Sequence, residues 1–316
     1  MNAVPKTKAD EPSAQARYEA RTREGATFSS FHVTPLRHNF HDHPLMQLPR
    51  IAQLAKELAK TEQCRFVTPG ISQSSAFDHK PKSADGRDVD EIFRRLEEPN
   101  SWIALYHIET DPAYAGFLKE VVDSARDLIE AQQPDIFKVA GFMFLSAPPS
   151  VTPFHIDREN NLWLQIRGRK IMNVWDHRDR HVVEGKHVDN FICTGSLEHV
   201  NLKDGFRERS HEFDVGPGDG VYFPATSPHM TRTTTDWVRP GDGVSISMGV
   251  VFFTRHTYRE ANIHHCNVLL RKFGIEPKPP GSGRISDALK FAIGRTHVWI
   301  RKTFRGYKPS AGLHLP

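Results

Sequence analysis

The spacing of hydrophobic positions changes several times along the chain, and each change marks an element. Residues 1–28 carry charged, Pro and Ala positions and almost no large apolar groups. Such a stretch cannot bury enough surface to offset ordering entropy, which predicts a flexible arm. Between 48 and 60, Ile51, Leu54, Ala55 and Leu58 recur at helical spacing and predict an amphipathic helix. Residues 65–68 read as a short strand closed by Pro69 and Gly70, and 71–88 as a polar surface loop or substrate-side lid. A short helix begins at Asp90, and 101–108 (SWIALYHI) is a β-branched and aromatic strand. Asp111 followed by Pro112 is a helix start; the helix runs to about 132 and is expected to bury Phe117, Val121, Val122, Ala125, Leu128 and Ile129. Residues 137–145 form the next strand.

The pattern from 151 to 175 (VTPFHIDRENNLWLQIRGRKIMNVW) organises the rest. Strands at 161–167 and 170–175, turning at Gly168, read as a hairpin. Parity places Asn161, Trp163 and Gln165 on one face and the apolar set Leu162, Leu164 and Ile166 on the packed face. Lys170 and Met172 then share the cavity of Asn161. Residues 176–214, rich in His, Arg and Asp, read as an insertion at a rim; 214–224 is a tight turn into a strand. The strongly β-prone 244–254 suits a central strand, and helices follow at 258–273 and 285–304 with a Pro/Gly break between. The division expected is an arm at 1–28, one domain at 29–255 and a basic helical region at 256–316.

Composition narrows the class. The 316 residues include 38% hydrophobic and 10% aromatic positions, enough for a packed core with its 20 Phe as the main bulk. Three dispersed cysteines without a C-x-x-C argue for buried thiols in a reducing compartment. No apolar run reaches membrane-span length and no signal-peptide core is present, so a cytoplasmic protein is expected, with membrane association as the alternative. The net charge is +4, but residues from Arg255 onward hold 12 Lys/Arg against 3 Asp/Glu, so the positive excess belongs to the tail. No helix-turn-helix pattern accompanies it, and a specific nucleic-acid partner is not expected.

Two positions carry the first chemistry. His155 and Asp157 are two residues apart, which on a strand aims an imidazole and a carboxylate at one face. That is two thirds of a facial metal site, usually completed by a second His and leaving positions for substrate and O2 on non-haem Fe(II). A buried Lys170 beside it would require an anionic partner, which a dicarboxylate cosubstrate supplies. A further cluster, His38, His41 and His43, lacks helical spacing and a nearby Cys, and reads as a polar loop ahead of a helix.

Val151-Thr-Pro before His155, the His-x-Asp pair, Asn161, Gln165, Ile166, Gly168 and Lys170 together resemble the jumonji-C (cupin-type) Fe(II)/2-oxoglutarate dioxygenases, in particular the asparaginyl hydroxylases acting on hypoxia-inducible factor. The stretch 218–229 (GDGVYFPATSPH) is similar to the family's strand bearing the distal His. The resemblance covers about 142–253, a third of the chain. It implies a double-stranded β-helix barrel (cupin/jelly-roll), mainly β, with helical elements before it and C-terminal helices after. It implies iron on His155, Asp157 and His229, and 2-oxoglutarate held by Lys170, Thr152 and Asn161. Trp163 stands where that hydroxylase has a Phe, and fits either a lid over the cosubstrate or barrel filler. Gly249 departs, standing where that hydroxylase has an Asn.

The expectation is therefore a 2-oxoglutarate oxygenase that hydroxylates or oxidatively demethylates a small-molecule, lipid-linked or protein side-chain substrate. The alternatives are a cupin using its metal for other chemistry, and a non-catalytic cupin-like regulator or binding protein. For the helix at 285–304, homodimer pairing is what the resemblance implies; peripheral contact with an anionic membrane is the competing reading, and packing on the barrel exterior a third.

Overall fold

A computed structural model describes residues 18–66, 72–75, 89–98 and 102–308. Its elements in chain order are β1 (Ala20–Thr22), β2 (Thr34–His38), α1 (Leu48–Ala59), β3 (Cys64–Phe66), α2 (Val89–Arg94), β4 (Trp102–Tyr106) and α3 (Pro112–Glu130). The barrel strands follow: β5 (Phe137–Ser146), β6 (Ser150–His155), β7 (Asn160–Arg167) and β8 (Lys170–Val174). After α4 (Gly185–Thr194) come β9 (His211–Val215), β10 (Asp219–Phe223), β11 (His229–Thr233) and β12 (Ser245–Phe253). Two helices close the chain, α5 (Arg255–Lys272) and α6 (Arg284–Arg305).

The strands form two antiparallel sheets, β1-β2-β10-β7-β12-β5-β4-β3 and β6-β11-β8-β9. From β5 to β12 the chain alternates between the walls, apart from the β8–β9 step, and this alternation makes a double-stranded β-helix. The larger sheet is extended by β2 and β1 beside β10 and by β4 and β3 beside β5.

The expected hairpin at Gly168 is corrected by this topology. β7 pairs with β10 and β12, whereas β8 pairs with β9 and β11. Gly168, at φ +65°, carries the chain from one wall to the other; a Cβ there would meet Trp237 at 2.6 Å and the Ser245 Cα at 2.9 Å. Crossing gives each strand two hydrogen-bonded neighbours, where an isolated hairpin would leave two open edges. Trp163 and Gln165 therefore face Lys170 and Met172 from opposite walls.

The parity of β7 appears in the packing. Leu162, Leu164 and Ile166 join a core over the outer face of the larger sheet, capped by Ile51, Leu54 and Leu58 of α1 and Phe117, Val121 and Val122 of α3. Asp111 caps α3 by accepting from the Ala113 and Tyr114 N–H groups, with Pro112 in the first turn. Leu128, expected in that core, is 40% exposed, because it lies off the stripe that α3 turns to the sheet.

Two further expectations change. Within 1–28, residues 1–17 lie outside the described residues, but Ala20–Thr22 pairs with β2, Ala20 donates its N–H to Ser124, and the Phe28 ring packs on Tyr222. Ser124 and Tyr222 are distant in sequence, so local composition could not signal these contacts. The 176–214 insertion is not only rim loop: it folds α4 and β9. Val182, Val188, Phe191 and Ile192 cover Phe154, Trp175 and Met230 on the outside of the smaller sheet. The lid expected at 71–88 falls almost wholly outside the described residues.

Buried Asp189 of α4 accepts from His264, Asn267 and Arg271 of α5. Gly294 lets α6 approach α5 closely; a Cβ there would lie 1.8 Å from the Asn262 carbonyl oxygen. Among the described residues no helix is long and apolar enough to cross a membrane. Cys64, Cys193 and Cys266 are free and buried.

Candidate metal centre and its cavity

Inward side chains of both walls line one cavity, which includes Tyr106, Phe142, Phe144, Thr152, His155, Asp157, Trp163, His229, Thr231 and Ser247. His155 closes β6 and His229 opens β11, directly opposite each other in register, with ring centroids 4.1 Å apart. Asp157 does not lie on the strand, as its spacing suggested. It sits in the loop after β6, where its carbonyl accepts from the Thr226 N–H at 2.8 Å. Its carboxylate still reaches 3.5 Å from His229 Nε2. Ligand atoms of the three residues lie within 4.8 Å of one another, and among the described residues this is the one His/Cys/Asp/Glu group so gathered.

Two local features aim these groups. The register steps from His229↔His155 to Thr231↔Thr152, so Pro153 and Phe154 oppose Met230 alone. This is a β-bulge, and it turns Thr152 and His155, three apart and nominally on opposite faces, into the same cavity. Phe154 is thrown outward onto Trp175. Second, His155 Nδ1 stands 2.8 Å from the Pro153 carbonyl and His229 Nδ1 3.0 Å from the Ser227 carbonyl. Donation from Nδ1–H to those oxygens selects the tautomer whose Nε2 presents a lone pair to the centre.

The cavity floor carries a buried lysine. Lys170, only 2% exposed, donates to Ser247 Oγ at 3.0 Å, and among the described residues no carboxylate reaches it. Burial pushes its ammonium down to about 7. Asn161 stands on the same inner face of β7 as Trp163, fully buried, with neither Oδ1 nor Nδ2 bonded. Gln165 donates to Ser245 Oγ and the Arg167 carbonyl, and its Oε1 has no partner. Buried amides are almost always bonded in proteins, so these atoms call for a polar guest. In the loop after β6, burial and the Asp157 carboxylate push Glu159 up to about 7.

All seven residues singled out in the sequence are thus on or beside one interior: His155, Asp157, His229, Thr152 and Trp163 in the cavity wall, Lys170 at its floor and Asn161 on the adjoining inner face. Sequence reasoning missed Tyr106, Phe142, Phe144, Thr231 and Ser247. Period-2 alternation marks Phe142 and Phe144 as one face of β5, and the pairing of β5 with β12 sets Ser247 on the same wall. Only the pairing of β4 with β5 brings Tyr106, whose phenol burial pushes up to about 12, to the same wall.

Neither a known family profile nor a curated protein sequence matches the chain. Among solved structures it is similar to the Escherichia coli ribosomal oxygenase YcfD, at 14% identity over 90% of this chain and 69% of that one, with a TM-score of 0.46. YcfD in complex with cobalt and 2-oxoglutarate aligns at 17% identity over 88% and 65%, TM-score 0.43. The DMSP lyase DddQ from Ruegeria pomeroyi aligns at 17% identity over 36% and 37%, TM-score 0.21.

Proposed function

We propose that this chain is an Fe(II)- and 2-oxoglutarate-dependent oxygenase that hydroxylates, or oxidatively demethylates, an organic substrate. The observation that carries this is the buried Lys170 ammonium, with no carboxylate partner among the described residues, in the same barrel as the His155–Asp157–His229 cluster. A two-imidazole, one-carboxylate facial set suits Fe(II) and leaves coordination positions open. A buried cation at a fixed distance from it suits a ligand with a chelating end and a far carboxylate. When bound, the metal and cosubstrate supply the oxidation, as 2-oxoglutarate and O2 become succinate, CO2 and an oxidised substrate.

The chain's own residues do the positioning. Pro153 and Ser227 carbonyls hold the two imidazoles with Nε2 inward, and Lys170 with the Thr152 hydroxyl receives the far carboxylate. Asn161 offers its unpaired amide, and Trp163 walls the cavity beside the metal ligands. The test is conversion of 2-oxoglutarate to succinate by purified protein with Fe(II). His155→Ala and His229→Ala should abolish it with unchanged circular dichroism; normal turnover in either would overturn the ligand assignment. Binding without turnover across candidate substrates would favour the alternative, a cupin-like binding protein.

For partners, we propose a small-molecule, lipid-linked or protein side-chain substrate, and a second copy of this chain docked along α6. The exposed side of α6 carries Ile285, Leu289, Ile293, Trp299, Ile300 and Phe304. An apolar stripe along 22 residues exceeds the scattered exposure normal for a monomer surface. Peripheral contact with an anionic membrane is the competing occupant.

A further inference from the structure

The inner face of β12 presents Ser245, Ser247, Gly249 and Val251, and at one of these the side chain is missing. Gly249 is not in the left-handed region, so backbone freedom does not explain it. Space does. A Cβ there would lie 2.1 Å from Phe142 Cζ and within 2.7 Å of both ring Cε atoms. The Phe142 ring therefore lies flat on β12, where a side chain at 249 would stand.

Register fixes the depth of this pair. The His229 ring is 4.7 Å from Phe223, whose partner across the ladder is Asn161. One row deeper, Phe142, Gly249 and Trp163 stand side by side across β5, β12 and β7. The next row is Phe144, Ser247 and Gln165, and Ser247 is the hydroxyl bonded to Lys170. Phe142 is thus the wall midway between the metal ligands and the cation. Both ends of a bridging acid are held, so the middle row decides what length and girth pass.

We propose that Gly249 and Phe142 act as a pair that determines cosubstrate selectivity: the glycine parks the ring against β12 and keeps open the passage from the metal ligands to Lys170. This rests on the oxygenase reading above. Any side chain at 249 must displace the ring into the passage, because the contact is with a rigid aromatic and not with the end of a flexible chain.

Calorimetric titration of Mn(II)-loaded protein with 2-oxoglutarate and with the six-carbon 2-oxoadipate tests it, on wild type, Gly249→Ala, Phe142→Ala and the double variant. Gly249→Ala should weaken 2-oxoglutarate binding at least about tenfold while Mn(II) affinity stays as in wild type. Adding Phe142→Ala should restore it, since no ring remains to be displaced. Phe142→Ala alone should bind 2-oxoadipate at least about tenfold more tightly than wild type does. Gly249→Ala binding like wild type, or a double variant as weak as Gly249→Ala, overturns the pairing. If Gly249→Ala fails to fold, Phe142→Ala decides, and its rejection of 2-oxoadipate to the same degree as wild type is the overturning result. Wild-type protein that binds Mn(II) but not 2-oxoglutarate would instead bring down the oxygenase reading.

Discussion

At the scale of single residues, Lys170, the proposed cosubstrate anchor, weakens the protein that carries it. Its pKa in the fold, about 7, lies below the ordinary lysine value, because burial disfavours the charged form. The unfolded chain therefore holds more protons between about pH 7 and 10.4, and stability rises with pH across that window. The penalty is fully present below about 7 and gone above about 10.4. Lys170→Met removes it while keeping the stem. Without ligand, the variant should unfold at a higher temperature than wild type at pH 7, the gap closing as pH approaches 10; a constant or inverted gap would count against a charged, unpaired Lys170. The same change should cost 2-oxoglutarate affinity on the order of 3–5 kcal/mol, several hundredfold or more, by leaving the far carboxylate buried and unpaired. A loss under about tenfold, 1.4 kcal/mol, would point to another anchor. Gain in stability with loss of binding is the pattern of a functional residue.

At the scale of elements, two joints hold the site's surroundings together. One is the bulge in β6, which places a hydroxyl and an imidazole in one cavity. The other is Asp189, 2% exposed, whose carboxylate takes hydrogen bonds from His264 at 2.5 Å, Arg271 at 2.9 Å and Asn267 at 3.1 Å. It fastens α4, inside the insertion, to α5, beyond the barrel. Asp189→Ala leaves a guanidinium, an imidazole and an amide facing a void. The expected cost is about 3–5 kcal/mol in urea unfolding. A cost below about 1 kcal/mol would mean that the helices are held by apolar packing alone.

At the scale of the whole molecule, α6 stands apart. Its inner side is fixed on α5 through Gly294, so its outer apolar side cannot turn inward. Phe304 and Ile285 are 70% and 80% exposed at its two ends. Pairing with a second copy is expected to give a dimer by sedimentation equilibrium, and Leu289→Glu with Ile293→Glu a folded monomer of unchanged 2-oxoglutarate affinity. A wild-type monomer that sediments with anionic vesicles, and loses this on substitution, would favour the membrane instead.

What the sequence determined by itself was whatever depends on neighbours along the chain. The stripes of α1 and α3, the alternation in β7 and β12, and the Asp111–Pro112 start are set by period and capping, which are local. The motif from Thr152 to Lys170, with His229, was legible through its resemblance to the jumonji-C dioxygenases; spacing alone paired His155 with Asp157 and set Thr152 on the opposite face, which the bulge reverses. Tertiary structure decided the rest. Whether β7 and β8 pair or face each other depends on which strands offer open edges, and those lie about 40 to 90 positions later in the chain. Whether a polar stretch such as 18–28 or 176–214 folds depends on the surfaces it covers, which local composition does not contain. Nor could the sequence show why Gly249 is a glycine: the ring that fills its place comes from Phe142, brought alongside only when β5 joins β12.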